Sequence, residues 1–221
     1  MDLQEQAIDA VQKNNIELLD QLSKDGLDLK KVRDYQHWTL CHFAAYANNA
    51  NILYYLHNLG HDLDHSHYGG PTPLYVAAIN NATDATLYLV QMGVNINKRY
   101  TLNGYTPFFM ATWSNSVGVM QILKENGCDL SLEANDSFRK ETPAFIAARW
   151  GRLEAIKLLH TYGCDLTACN VDGNTPEFIA YHFGHDDCGN YLATNNVAQE
   201  QSTDINSNTN SSKREIRNGS F

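Results

Sequence analysis

One short phrase recurs five times along the chain and limits the possible folds more than any other feature. It consists of a glycine, one variable residue, Asp or Asn, and an aliphatic residue, at 26–29, 60–63, 93–96, 127–130 and 163–166. Successive glycines lie 34, 33, 34 and 36 residues apart. Self-similarity at this period predicts an array of stacked units, because one such unit cannot bury its apolar face alone.

A second phrase keeps the same period and begins at Thr39, Thr72, Thr106, Thr142 and Thr175. Proline follows the threonine in four of the five copies, and small residues follow a few positions later. A threonine hydroxyl can cap free amides and proline tolerates the first helical position, so each copy predicts a helix start. An apolar stripe such as Ile156-Leu158-Leu159 predicts a second helix, which the glycine ends. One repeat is therefore two helices and a connector.

Together the two phrases resemble the ankyrin-repeat family, whose TPLHxAA phrase and period of about 33 residues they match across roughly residues 5–193. The resemblance implies an all-α solenoid of stacked helix pairs with β-hairpin-like fingers on one side. At the family's histidine position the chain keeps only His42 and otherwise carries Tyr75, Phe109, Phe145 and Phe178. We therefore expect a more apolar seam along the first helices. A longer connector before Thr142 predicts an enlarged finger around residues 135–140.

The expected domain organisation is a solenoid over residues 1–193 and a polar tail over residues 194–221. Residues 1–30 predict two helices without the Thr-Pro phrase, which indicates an N-terminal cap. The shortened sequence after Thr175 indicates a truncated C-terminal cap. The tail has hardly any large apolar residues, so we expect disorder, because it cannot bury enough surface to offset its ordering entropy. Its charges balance, so the chain's acidity belongs to the solenoid.

Composition limits the partners and the compartment. Lys plus Arg total 16 against 25 Asp plus Glu, a formal charge of -9 that disfavours nucleic-acid binding. No apolar run approaches the roughly 18 residues of a membrane span, and the polar start MDLQEQAIDA is unlike a secretory signal. Five cysteines without a CxxC pair favour a reducing, cytoplasmic location. We expect the chain by itself to be monomeric.

The sequence contains no catalytic or cofactor motif that we recognise, and we predict a non-enzymatic protein without a cofactor. Cys41 precedes His42, but adjacent helical side chains point about 100° apart, and Cys41 takes a core position of the repeat. Residues 61–67 contain three histidines and two aspartates. Asp62 and Leu63 are repeat positions, so a structural role is favoured there. A metal-dependent site at residues 61–67 is the remaining alternative.

Similarity to the family implies that another protein binds the concave face, formed by residues just before each threonine and just after the paired small residues. The candidate partner-binding residues are Tyr35, Trp38, Tyr46, Tyr68, Asn80, Tyr105, Trp113, Phe138, Arg139, Arg149, Trp150 and Phe183. They include all three tryptophans of the chain. Trp, Tyr and Arg are typical of interface hot spots, whereas solvent-facing positions are ordinarily polar.

Three alternatives stay open at this point. Trp113 and Trp150 could instead pack over their own helices. The rings of Tyr105, Trp113 and Trp150 could converge into an aromatic cage for an aliphatic or cationic side chain. The chain could also be a targeting subunit or a secreted effector acting in a host cytosol, with a localisation or export signal in residues 194–221.

Overall fold

The computed structural model describes residues 2–102, 104–131 and 141–195 of the 221-residue chain. Within these ranges the chain forms twelve α-helices and no β-strand. We number them α1 Leu3–Gln12, α2 Ile16–Lys24, α3 Leu40–Tyr46, α4 Ala50–Asn58, α5 Pro73–Ile79, α6 Thr83–Gln91, α7 Pro107–Trp113, α8 Val117–Glu125, α9 Pro143–Arg149, α10 Leu153–Thr161, α11 Pro176–His182 and α12 at residues 186–195. Short 3-10 turns occur at Leu29–Lys31 and His67–Gly69.

The helices pair along the chain and stack in two rows. The odd-numbered helices pack side by side in the order α1, α3, α5, α7, α9 and α11, and α4, α6, α8 and α10 pack in a second row. From α1 to α10 the two helices of each pair also pack against each other, for example α5 against α6 and α7 against α8. Contacts between successive pairs are the defining property of a solenoid. The predicted stack of helix pairs is confirmed.

The threonine-proline phrase starts α5, α7, α9 and α11 as predicted. In α7 the backbone N–H of Phe109 donates to Thr106 Oγ1 at 3.2 Å, and Pro107 takes the first helical position. Thr72, Thr142 and Thr175 cap their helices in the same way. The small residues that follow are fully buried, as at Ala147 and Ala148, and they let neighbouring odd-numbered helices approach closely.

Two asparagines cap helices of the following repeat, which the sequence does not predict. Asn48 adopts a positive φ of 54°, and its Oδ1 accepts from the backbone N–H of Ala85 in α6 at 3.0 Å. Asn115, with φ 59°, accepts from Ala155 N–H in α10 at 3.2 Å. The residues that precede α6 and α10 supply no side-chain cap of their own. Free amides at these helix starts are thus satisfied between repeats.

The connectors before the odd-numbered helices fold into tight fingers. The backbone N–H of Tyr100 donates to the carbonyl of Tyr105 at 2.9 Å, and that of Asn170 to the carbonyl of Asn174 at 3.0 Å. Thr101 N–H reaches the carbonyl of Gly69 at 2.9 Å, which joins two neighbouring fingers. The enlarged finger expected around residues 135–140 lies outside the described residues, as does most of the tail.

Candidate partner-binding face

The finger-side face is the surface formed by the fingers and by the last residues of the odd-numbered helices. Because these helices stack side by side, their C-terminal ends form one row. Five of the predicted binding residues lie at successive steps of that row: Tyr46, Asn80, Trp113, Trp150 and Phe183. Another three belong to the fingers beside it: Tyr35, Trp38 and Tyr68. Phe138 and Arg139 were also predicted, and they lie outside the described residues.

The structure brings Trp113 and Trp150 into contact across two repeats. Their ring centroids are 5.8 Å apart with the planes at 79°, the edge-to-face geometry that aromatic pairs prefer. Trp150 is 45% exposed, whereas Trp113 is half-buried, and the Trp113 carbonyl accepts from Arg152 Nε at 3.0 Å. The pair therefore holds two repeats together and leaves one large ring open to solvent.

Arg149 extends this aromatic surface towards the last repeat. Arg149 Nη1 donates to Glu141 Oε1 at 2.8 Å, and the Glu141 side chain is only 4% exposed. The guanidinium lies 5.6 Å from the centre of the exposed Phe183 ring. These side chains line a cleft of about 200 Å³ between α9 and α11. Because the Glu141 carboxylate neutralises its charge, the Arg149 guanidinium would present a partner with a flat, oriented surface rather than with an unpaired positive charge.

A second aromatic cluster surrounds Trp38 near the N-terminus. The Trp38 ring lies 5.8 Å from His42 in a stacked arrangement, 5.7 Å from Phe43 and 6.4 Å from Tyr46. Trp38 is half-buried by these contacts, while Tyr46 and the finger residue Tyr35 are exposed. The indole thus anchors a patch whose solvent-facing part consists of tyrosines.

Sequence reasoning missed a histidine contact beside this cluster. The rings of His37 and His67 stack at 3.9 Å and join the first two fingers, and the exposed Tyr68 ring lies 4.0 Å from His67. His37 and Tyr68 both have positive φ, at 63° and 47°, which is uncommon for residues other than glycine. The two histidines occupy different positions in their repeats, so no sequence signal pairs them.

Two predicted residues are engaged within their own repeats. The Tyr105 ring stacks on Phe109 at 4.3 Å with nearly parallel planes and is half-buried. Asn80 is exposed, and its Nδ2 donates to the carbonyl of Val76 at 2.8 Å, at the end of α5. Tyr105 therefore contributes to packing as well as to surface, and Asn80 contributes to ending its helix.

The Cys41–His42 neighbours have structural surroundings. His42 Nδ1 accepts from Thr39 N–H at 3.1 Å, so Nε2 carries the proton and donates to the carbonyl of Pro71 at 3.0 Å. Burial lowers the pKa of His42 to about 4 and raises the pKa of the Cys41 thiol to about 12. The thiol therefore stays protonated at neutral pH, unlike an activated nucleophile.

The histidine-rich stretch 61–67 joins α4 to the second finger. His61 is buried, and this burial lowers its pKa to about 4, which keeps the ring neutral. His65 is half-buried, with Nδ1 3.9 Å from Asp62 Oδ2. Across the described ranges, no three His, Cys, Asp or Glu side chains are arranged so that they could hold a metal ion.

Comparison with known proteins agrees with this geometry. The family model for ankyrin repeats matches in three copies, over residues 7–100, 42–134 and 130–208, and so covers most of the chain. The chain belongs to the ankyrin-repeat family. Ankyrin repeats are generally protein–protein interaction modules without enzymatic activity.

Individual relatives share part of this ankyrin array. The chain is 28% identical to an ankyrin repeat protein of Borreliella burgdorferi over 52% of its own length and 50% of the relative's. It is 30% identical to ankyrin repeat domain-containing protein 37 of Xenopus tropicalis, over 53% of this chain and 70% of that protein. Human ankyrin and armadillo repeat-containing protein is 26% identical over 76% of this chain, which is 12% of that protein. The chain thus spans half the length of the bacterial relative.

Among the described residues, no helix has the length and apolar character needed to cross a membrane.

Proposed function

We propose that the chain is a non-enzymatic interaction module whose finger-side face captures a segment of another protein. The observation that carries this proposal is the row of large rings at four of its five steps, with Trp113 and Trp150 in contact near its centre. Solvent-facing positions are usually polar, and rings held on packed helices lose little further freedom on binding. A rigid aromatic row is therefore suited to a complementary protein surface.

The exposed rings would anchor the partner and the half-buried rings would support them. Trp150 and Phe183 are the exposed anchors of the C-terminal half, with Trp113 and the Arg149 guanidinium packed beside them. In the N-terminal half, Tyr35, Tyr46 and Tyr68 are exposed around the half-buried Trp38. The proposal does not include a cage with Tyr105, because that ring already stacks on Phe109.

We place this activity in a reducing compartment such as the cytoplasm, with the chain acting as a monomer. All five cysteines are free, and Cys41, Cys128 and Cys188 are buried. Burial raises the pKa of the Cys128 thiol to about 12, as it does for Cys41, so both thiols are poorly reactive. The net charge of -9 favours a protein partner over nucleic acid.

The decisive test is alanine substitution of the exposed anchors. Full-length chain carrying Trp150→Ala and Phe183→Ala should lose the partners that the unchanged chain captures from a cell lysate. For an identified partner, calorimetry should show dissociation constants at least about 30-fold weaker, the size expected for removal of a hot spot. The matched control is Tyr54→Ala, which removes an exposed ring from α4 in the other row of helices.

Two results would overturn this proposal. The first is equal capture by the double variant and the unchanged chain. The second is an equal loss of capture in the Tyr54→Ala control, which would place the binding surface elsewhere. Circular dichroism and thermal melting must show that the variants keep their helical content.

A further inference from the structure

At the C-terminal end of the stack, no described helix packs on the repeat-stacking side of α11. Phe145 and Ala148 in α9 are 2% and 0% exposed, because α11 packs against α9. The equivalent residues of α11 are Phe178 and Tyr181, which are 52% and 42% exposed. We call the surface around Phe178 and Tyr181 the end face. It presents to solvent the same helix side that every earlier repeat buries.

The aromatic rings of the end face are held in place. Tyr181 donates to Asn190 Oδ1 at 2.9 Å, and its ring lies flat against Gly189 of α12, where an added Cβ would come within 2.6 Å of the ring. The Phe178 ring stacks against His182 at 6.0 Å. A preordered apolar surface loses little freedom when another segment covers it.

The repeat that carries the end face is acidic. Residues 163–195 contain no Lys or Arg and five acidic residues: Asp165, Asp172, Glu177, Asp186 and Asp187. Glu177 directly precedes Phe178, and Asp186 and Asp187 are exposed at the start of α12. A segment with positive charge and a few apolar side chains would complement this surface.

The repeat period of the sequence indicates which residues would come next to this face. In each earlier repeat, the residues after the even-numbered helix lead into the odd-numbered helix of the next repeat, which covers the face in question. The capping threonines lie 33, 34, 36 and 33 residues apart, so counting on from Thr175 reaches residues 208–211. The next residues include Ile216 and Phe221, and the side chains of Lys213, Arg214, Glu215 and Arg217 give them a net charge of +2. The 26 residues after Asn195 can span about 85 Å when extended, so they are long enough to return to the end face.

We propose that the segment 211–221 of this chain docks on the end face of its own last repeat. Ile216 and Phe221 cover Phe178 and Tyr181, and the cations face the exposed Asp186 and Asp187 at the start of α12. Residues 194–221 cannot build a core of their own, but the end face supplies the missing apolar surface. A tether of this length gives an effective concentration near the millimolar range, so a weak contact is enough to populate the docked state.

Hydrogen exchange in the full chain, followed by mass spectrometry, tests this docking. We expect the amides of residues 213–221 to exchange about tenfold more slowly than in a free peptide of the same sequence. Arg214→Glu with Arg217→Glu should abolish that protection by repelling the acidic repeat. Lys24→Glu with Lys31→Glu makes the same charge change at the other end of the stack and should leave the protection unchanged.

The apolar half of the contact has its own test in Phe178→Gln, which should also remove the protection of residues 213–221. If this variant loses the helical protection of α11, the double arginine variant alone decides the test. Exchange of residues 213–221 at free-peptide rates in the unchanged chain would overturn the proposal. Protection that rises with protein concentration, together with a doubled mass in light scattering, would overturn it in favour of a second copy on this face.

Discussion

Helices α7 and α11 begin with the same phrase and end up in different surroundings. In both, threonine caps the amide of a phenylalanine three residues on, with Thr106 Oγ1 3.2 Å from Phe109 N and Thr175 Oγ1 3.1 Å from Phe178 N. Yet Phe109 is 1% exposed and Phe178 is 52% exposed. The phrase determines where a helix starts, and the neighbouring repeat determines whether its aromatic ring is core.

The largest expected effect on stability follows from this difference in burial between Phe109 and Phe178. Phe109→Ala should lower the free energy of unfolding by about 3–5 kcal/mol, because it removes a buried ring and leaves a cavity between α7 and its neighbours. Phe178→Ala should lower it by less than about 1 kcal/mol, because that ring is 52% exposed on the repeats and the proposed docking of residues 211–221 adds only a weak contact. Urea denaturation of both variants followed by circular dichroism measures the two values.

Equal losses of unfolding free energy in the two variants would contradict the difference in burial. A loss for Phe178→Ala as large as that for Phe109→Ala would mean that the end face is covered as completely as an interior repeat. A small loss for both would mean that the stack relaxes around the missing Phe109 ring.

The next prediction concerns His42, a buried polar side chain at the repeat position that Phe109 and Phe178 occupy in α7 and α11. His42 replaces the phenylalanine in the first threonine-started repeat, and burial lowers its pKa from 6.5 to about 4. The folded state therefore binds fewer protons than the unfolded state between these values, so its stability is fully present above about pH 6.5 and is lost as pH falls towards 4. Through His42 alone, lowering the pH from 7 to 4.5 should reduce the free energy of unfolding by roughly 2 kcal/mol.

The measurement compares the unchanged chain with His42→Phe, which carries the residue that three other repeats have at this position. The variant should be less stable at pH 7, since Thr39 N–H and the Pro71 carbonyl lose their partner. Its urea midpoint should fall less between pH 7 and pH 4.5 than that of the unchanged chain. Parallel pH dependence in the two proteins would show that His42 does not titrate in this range.

The smallest effect concerns the caps that join neighbouring repeats. Asn48→Gly keeps a residue suited to positive φ but removes the oxygen that accepts from Ala85 N–H, so unfolding should become easier by about 1 kcal/mol. Asn81→Gly is the matched control, because Asn81 also has positive φ, at 52°, and its side chain makes no hydrogen bond to any described residue. Thermal melting should separate the two, and equal shifts would refute the role of Asn48 as a cap.

Much of the fold follows from the printed sequence because its signals are local. Thr106 and Thr142 start helices, and Gly127, with φ 79°, follows the end of α8, as the two phrases predict. The binding surface follows less completely. The repeat pattern places Tyr35 and Tyr68 on exposed fingers. It treats all three tryptophans alike, but Trp150 is exposed whereas Trp38 and Trp113 are half-buried.

The sequence by itself determined the repeat period, the starts of the threonine-capped helices, the glycines that follow the second helices and the family, because caps, glycines and buried small residues act within a few positions of the chain. Only the tertiary structure decided which rings touch across repeats, such as Trp113 with Trp150 and His37 with His67. It also decided that Phe178 is exposed where Phe109 is buried. Side-chain burial depends on what the neighbouring repeat places opposite each position, and no single repeat carries that information.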